Sequence, residues 1–433
     1  MKTKSINSQR IRNIINFKNS FVLFLFGCIL SVSSISAQST EFIEYKGTVR
    51  DAMNDDPISF VSLTIQGTNI ASLTNADGEF SLKAPKDRPK GKVQISAVGY
   101  QTLIIIISEF RAINTVIELQ PQATQLAEVN INRPSSAENL VRSVFSNRDE
   151  NYQNSESYMT AFYRETIKKR RTPVSLAEAV VNVEKKPYTR GGRDRVNLYK
   201  ARKKTNYEKL DTIALKLEGG PFNALFADVM KYPEYFFTPE LISSYDFTFG
   251  KSTRIDSKLI YVINFEQKKS SREPLYYGQL YIDAESDALT SAVYSLNLDN
   301  EELARELFIR KKPSRVDVDP VVANYRVDYR EKDGKWYYGY SNIELEFVVD
   351  WKGRLFNSRY RINSEMLITD WQQENAALAL QADEKFNSRS ILADEASGFA
   401  DPNFWGSYNV IEPDKTIQSA IEKIQRQMEK EAN

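Results

Sequence analysis

No histidine occurs among the 433 residues of this chain. Histidine is the commonest general base near neutral pH and the commonest metal ligand. Its absence excludes Ser-His-Asp triads, Cys-His dyads and zinc sites built on imidazole. One cysteine, Cys28, is too few for an internal disulfide. Carboxylates, Lys, Tyr and Ser/Thr remain for chemistry, which tilts the chain towards binding or scaffolding. No Gly-rich phosphate loop, no Gly-x-Ser-x-Gly elbow and no supported Ser-x-x-Lys occurs. Beyond the N-terminal segment no stretch is long and apolar enough to span a membrane as a helix.

The first 37 residues read as a secretory signal. Lys2, Lys4, Arg10, Arg12 and Lys18 form a positive region without one acid, Phe21 to Leu30 form an apolar stretch, and small residues follow up to Ala37. This layout matches an export signal cleaved after Ala37. Leu25-Phe26-Gly27-Cys28 also resembles a bacterial lipobox, which would make Cys28 a lipidation site, although Phe26 fits that pattern poorly. Either way the chain leaves the cytoplasm. Five fewer than 58 basic side chains, set against 57 acidic ones, leaves a mature net charge near −4. That balance gives no reason to expect nucleic acid. An exported protein of about 395 residues without disulfides is stabilised by the size of its core, and such a length implies two or three domains.

Residues 42–120 alternate short β-type runs with turn signals. The runs are Phe42–Arg50, Ser59–Gln66, Ile70–Thr74, Glu79–Lys83, Lys92–Val98, Thr102–Ile107 and Asn114–Leu119. Seven strands at this spacing predict an antiparallel sandwich, with Asp77-Gly78 as a hairpin turn. Gly47-Thr-Val-Arg-Asp51, Pro57-Ile-Ser-Phe-Val-Ser-Leu63, Gly67-Thr-Asn69, Thr74-Asn-Ala-Asp-Gly-Glu-Phe80 and Val98-Gly-Tyr100 carry a resemblance. In that order they look like the carboxypeptidase regulatory-like domain, which implies a transthyretin-like β-sandwich. Its Gly and Asp residues read as turn formers, and Phe80 and Tyr100 as core residues. The module does no catalysis where it accompanies zinc carboxypeptidases, and without His that activity does not carry over. It also resembles N-terminal extensions of exported and outer-membrane proteins of Gram-negative bacteria.

Residues 121–134 read as a linker, with a short strand at Glu128–Asn132. Ser135 and Glu138 have capping-box spacing, and Ala137, Leu140, Val141, Val144 and Phe145 lie on one helix face. Nine β-type runs follow through residue 375: Tyr158–Thr166, Val174–Val183, Phe247–Gly250, Leu259–Gln267, Tyr276–Ile282, Leu289–Leu298, Val321–Tyr329, Trp336–Val349 and Arg354–Thr369. Tyr261, Ile263 and Phe265 alternate on one side of a strand, and Tyr277, Gln279 and Tyr281 on one side of another. Alternation of this kind predicts antiparallel strands with one half-buried face. Helical patches are expected at Pro221–Met230 and Asn300–Arg305. The fold class is therefore mainly β: the sandwich, then a large curved antiparallel sheet with a few helices in its hollow or at its rim. Tyr276 to Tyr294, strand, Asp-containing turn and strand, is similar to hairpins in the half-barrels of periplasmic lipoprotein-carrier proteins. That resemblance implies an apolar hollow able to hold acyl chains.

The tail, residues 376–433, carries Phe404, Trp405 and Tyr408, read as a tail anchor or a glycan-stacking platform. Ile417, Ala420, Ile421 and Ile424 mark a docking helix over Thr416–Met428. A basic region contains Arg170, Arg171, Lys185, Lys186, Arg190, Arg193, Arg195, Lys200, Arg202, Lys203 and Lys204. It reads as a solvated face or as an attractor of anionic headgroups and acidic glycans. Asp283, Glu285, Asp287, Asp317 and Asp319 read as turn residues, because the EF-hand arrangement is missing.

These observations favour a non-catalytic exported protein of the periplasm or outer membrane with a binding or assembly role. It would hold an apolar or amphipathic ligand in the curved sheet, or contact an envelope protein, lipid or glycan. The alternatives are a carboxylate-based glycan hydrolase, needing an acidic pair in a deep cleft, and an assembly factor with a filled hollow. No catalytic, cofactor-binding or metal-ligating residue is singled out, and no cofactor is expected.

Overall fold

The computed structural model describes residues 41–122, 134–189, 192–205, 219–309, 314–372, 386–392, 396, 404–415, 417–419 and 421. The expected export segment with Cys28, the expected linker strand at Glu128–Asn132, Arg190 and the distal part of the expected docking helix lie outside the described residues. Phe42–Asn433 form one compact unit.

The first seven strands fall where the turn signals put them: β1 (Phe42–Asp51), β2 (Ser62–Ile65), β3 (Ala71–Leu73), β4 (Glu79–Pro85), β5 (Lys92–Ser96), β6 (Leu103–Ile106) and β7 (Thr115–Leu119). They form two sheets, ordered β4-β1-β7 and β3-β2-β5-β6. Val49, Val61, Leu63, Ile65, Phe80, Leu82, Val93 and Ile95 fill the space between them. One ladder departs from the antiparallel expectation, because β1 and β7 run parallel. No turn joins these two strands directly, so nothing local dictates their direction.

Gly47 is a correction of a different kind. It sits within β1 opposite Thr115, not in a turn, and a Cβ there would lie 2.0 Å from the Thr115 carbonyl oxygen. Gly78 is the turn residue, at φ 72°. The Asn75 side chain accepts hydrogen bonds from the backbone N–H of Asp77 and Glu79 and closes that turn.

Next come two helices, α1 (Ala137–Ser146) and α2 (Arg148–Asn151). The cap is Ser136, one residue later than the capping-box spacing predicts, and it accepts from the Asn139 N–H. Glu138 pairs instead with Arg142 at 2.7 Å. Ala137, Leu140, Val141 and Val144 are buried as the periodicity requires.

Eleven strands then build one open sheet. They are β8 (Ser157–Lys169), β9 (Thr172–Lys185), β10 (Arg195–Thr205), β11 (Tyr245–Phe249), β12 (Thr253–Ile255), β13 (Lys258–Gln267), β14 (Tyr276–Asp283), β15 (Leu289–Leu296), β16 (Val316–Lys332), β17 (Lys335–Trp351) and β18 (Ser358–Gln372). The order is β10-β9-β8-β18-β17-β16-β15-β14-β13-β11, with β12 also on β13, and every ladder is antiparallel. Two strands, β10 and β12, are absent from the sequence reading. β10 was hidden by its cations, which suit an edge strand because they discourage pairing with another chain.

The described helices after α2 are α3 (Pro221–Phe226), α4 (Pro239–Ile242) and α5 (Glu301–Phe308), with a 3₁₀ turn at Pro233–Tyr235. On β13 the alternating set Tyr261, Ile263 and Phe265 faces the core. On β14 the set Tyr277, Gln279 and Tyr281 faces outwards, while Leu280 and Ile282 are buried.

Candidate functional site

The hollow of the large sheet is filled by the chain itself. Residues 219–244, carrying α3 and α4, place Ala224, Leu225, Val229, Met230, Phe236, Phe237 and Ile242 in the main core. Phe236 lies against Tyr276 and Tyr294, with ring centroids 4.9 and 5.4 Å away. Phe237 meets Tyr245, Phe265 and, from α1, Phe145. A short helix leaves its last carbonyls without partners, and tyrosines of the sheet supply them. Tyr338 and Ser341 donate to the Ala224 carbonyl at 3.1 and 3.0 Å, and Tyr294 donates to that of Ala227 at 3.1 Å.

These contacts also prove the curvature. Lys185 on β9 and Tyr294 on β15 are five strands apart in the sheet order. In a flat sheet that separation is about 24 Å. Both side chains nevertheless reach neighbouring residues of one segment, Asp228 and Ala227.

At the bottom of the hollow lies an ionic cluster closed to solvent. The Lys185 ammonium donates to Asp194 and to Asp228, each at 2.8 Å. Tyr188 and Tyr329 donate to the Asp228 carboxylate at 3.0 and 2.8 Å. Burial alone would lower the lysine, but the two aspartates overcome it and hold the ammonium above its usual range. Burial, reinforced by the Asp228 charge, pushes the Tyr152, Tyr188 and Tyr329 hydroxyls well up. The cluster fastens the filling segment to β9 and β16.

A second buried cluster lies on the opposite face. Arg164 on β8 bonds Glu178 at 2.7 Å, Glu365 at 3.1 Å and the Ile411 carbonyl at 2.7 Å. Arg202 holds the other oxygen of Glu178 at 2.7 Å. Burial raises both acids. For Glu178 the two guanidinium groups overcome it and leave the carboxyl below its normal range, whereas Glu365 stays raised. Arg202 also lies 4.6 Å over the Trp405 ring, and Trp405 meets Phe162 edge-on. Residues 404–415 thus run as a strap between the large sheet and the sandwich. On the sandwich side Lys83 donates to the Gly406 and Tyr408 carbonyls, both at 2.8 Å. Leu73, Phe162, Tyr340, Leu367, Val410 and Ile411 close the junction as one apolar cluster. Ile417 and Ile421 dock on Leu176.

The candidate site residues read from sequence therefore disperse. Phe404, Trp405 and Tyr408 anchor the tail. Five residues of the basic region are spent on structure: Lys185 and Arg202 as above, Lys186 with Glu156 and Glu184, Arg195 with Glu184, and Lys200 on the Phe404 carbonyl. Asp283 accepts from the Glu285 N–H in the β14–β15 turn, Asp287 accepts from the Ser143 hydroxyl, and Asp319 pairs with Arg305. Among the described residues no group of three acids could hold a metal. Sequence reasoning missed both buried clusters. The available signal was charge inside apolar strands, as in Leu176-Ala-Glu-Ala-Val-Val181, because a charge in such a run must find a partner.

An open groove of about 550 Å³ lies on the outer face of β13 to β16. Glu266, Tyr277, Ser295, Asn297, Asp299 and Asn324 line it, with Tyr277 half exposed. Its polar side chains suit a hydrogen-bonding ligand better than an apolar one.

Residues 45–131 match the family model of the CarboxypepD_reg-like domain. No curated protein sequence matches the chain. Among solved structures, a protein of the DUF1329 family from Desulfovibrio piger aligns at 13% identity and a TM-score of 0.22, over 57% of this chain and 93% of its own. A domain from Vibrio parahaemolyticus, provisionally assigned as an outer membrane lipoprotein-sorting protein, aligns at 10% and 0.24, over 55% and 93%. Lipovitellin aligns at 7% and 0.27, over 59% and 28%. Likenesses at this level carry no argument about function.

Proposed function

We propose that this chain is a non-catalytic exported protein of the cell envelope with a binding or assembly role. In this reading the sandwich and strap mediate contacts, and the large sheet is the rigid scaffold that presents them. The observation that carries it is the filled hollow: residues 219–244 occupy the space an acyl chain would need and are pinned by Lys185. The four acids of the buried clusters are unsuited to hydrolysis. Asp194 and Asp228 are bridged by Lys185, and Glu178 and Glu365 by Arg164, away from any substrate. A general acid and its partner need access to a glycosidic bond. An apolar ligand in the hollow is the second reading. It requires residues 219–244 to swing out, and the largely aromatic lining they cover is one that an acyl chain could contact.

Native mass spectrometry with organic extraction, on protein purified from its host's envelope, separates the two. A lipid-free chain that retains a second polypeptide supports the assembly role. A stoichiometric acyl lipid would replace it with the carrier reading.

A further inference from the structure

Two hairpin tips lie side by side at one end of the large sheet. One is the β8–β9 turn, Arg170-Arg171, and the other is the β17–β18 loop, residues 352–357. They are neighbours because β18 pairs with β8, Tyr360 opposite Lys169, and the Arg170 N–H bonds the Arg359 carbonyl at 2.8 Å. Arg315 joins them, its carbonyl accepting from the Lys352 N–H at 3.0 Å.

At the apex of the longer loop stand Leu355, 94% exposed, and Phe356, 78% exposed. No other adjacent pair of large apolar side chains among the described residues is so bare. Around them Arg170, Arg171, Arg315, Lys352, Arg354 and Arg359 are all exposed. The nearest acids are few or occupied. Glu346 is held by Arg359 and Arg361, Asp414 is paired with Lys168, and Asp317 and Asp350 face each other one rung inwards from the loop. Arg170 keeps φ at 54°, where Gly would sit without strain, so the turn retains a cation against its backbone preference.

We propose that this end of the sheet docks on an anionic phospholipid bilayer. Two apolar side chains at a hairpin apex are too narrow for a protein interface, whose core is a broad patch poor in charge. They suit insertion among headgroups, with the surrounding cations level with the phosphates. Trp351, half-buried against the apolar cluster of the sheet, carries Arg354 4.8 Å over its ring and so ties that cation to the root of the loop. The proposal borrows from the envelope reading only that a membrane is at hand, and it is independent of any ligand in the hollow.

The test is co-flotation of the host-processed protein, with Cys28→Ser to remove any lipid anchor, on phosphatidylglycerol-phosphatidylcholine vesicles. Binding should be strong at low salt, weak at high salt and at least about tenfold weaker on phosphatidylcholine alone. Leu355→Asp with Phe356→Asp, and separately Arg170→Glu with Arg171→Glu, should each lower binding at least about tenfold. The chains share one N-terminus, so a difference between them reads the tips alone. Unchanged circular dichroism melting confirms that the variants fold. A Phe356→Trp reporter should shift its emission to the blue on anionic vesicles. Failure of the parent protein to float, or flotation of both double variants equal to the parent, overturns the proposal. Neither result bears on whether lipid or polypeptide is co-purified, so the two readings fail separately.

Discussion

Lys185 and Asp228 meet at 2.8 Å with both side chains fully closed to solvent. One ends strand β9 and the other lies in the segment that fills the hollow, 43 residues away. Their contact decides whether the large sheet is a container or a core. Taking both charges out of water is expensive, and it is repaid only where every lone pair and proton is used. Here Asp194, Tyr188, Tyr329 and the Lys231 N–H supply further partners.

Replacing Lys185 by Met should therefore leave two aspartates buried without a cation. The expected loss is about 3–5 kcal/mol, the usual penalty for breaking a buried pair from one side. Urea unfolding followed by tryptophan fluorescence checks it. The double change Lys185→Met with Asp228→Asn should recover part of the loss, because one of the stranded charges goes too.

Arg164 plays the same part for the strap. Arg164→Met removes the donor to the Ile411 carbonyl and leaves Glu365 without its guanidinium. Proteolytic cleavage within 404–412 should become at least about tenfold faster, a loosening of about 1.4 kcal/mol. Lys352→Met, at an exposed loop position, should leave the rate unchanged.

Much of this fold was legible because alternation and turn chemistry act locally. Tyr261, Ile263 and Phe265 declare a buried strand face, and Asn75 to Gly78 declare a turn, without knowledge of any partner. Which residues pair in the two buried clusters was not legible for the opposite reason. Arg164 and Glu365 lie 201 residues apart, so each looks like an ordinary polar position on its own strand. Residues 219–244 gave a helical patch but no sign of where it packs, since aromatic and Pro-rich sequence with short helices has no sustained period. Strand β10 was masked by the cations that suit its edge position.

Gly47→Ala tests why the sandwich motif carries glycine within a strand. The new methyl would start 2.0 Å from the Thr115 carbonyl oxygen. Thr115 cannot move freely, because its hydroxyl bonds both the N–H and the carbonyl of Arg111. A loss of about 1–3 kcal/mol is expected, as for overpacking elsewhere. Calorimetry should show it as a lower melting temperature.

Alkaline pH should unfold the protein in one step. Burial pushes Tyr152, Tyr163, Tyr188, Tyr294, Tyr329 and Tyr340 well above the ordinary value of 10.0, and Tyr276 up to about 12. In the unfolded chain the same phenols ionise near 10. Their contribution to stability is thus complete below pH 10 and is lost as pH rises beyond it. Each further pH unit withdraws up to about 1.4 kcal/mol per tyrosine. Tyrosinate absorbance from these residues should appear together with loss of the β-sheet circular dichroism signal. Complete ionisation of the tyrosines near pH 10 in a chain that stays folded would contradict their burial.

Phe237→Ala probes whether the hollow is a core or a vacant site. The ring touches Phe145, Tyr245, Phe247 and Phe265, so its removal opens a void between helix α1, the filling segment and the sheet. The expected cost is about 3–5 kcal/mol. A dry apolar void also binds small apolar molecules. Benzene or xenon should raise the melting temperature of the variant and leave the parent protein unmoved. If the parent responds equally, the hollow already holds accessible apolar space. The filling segment would then be a removable plug, and the carrier reading would gain over the scaffold.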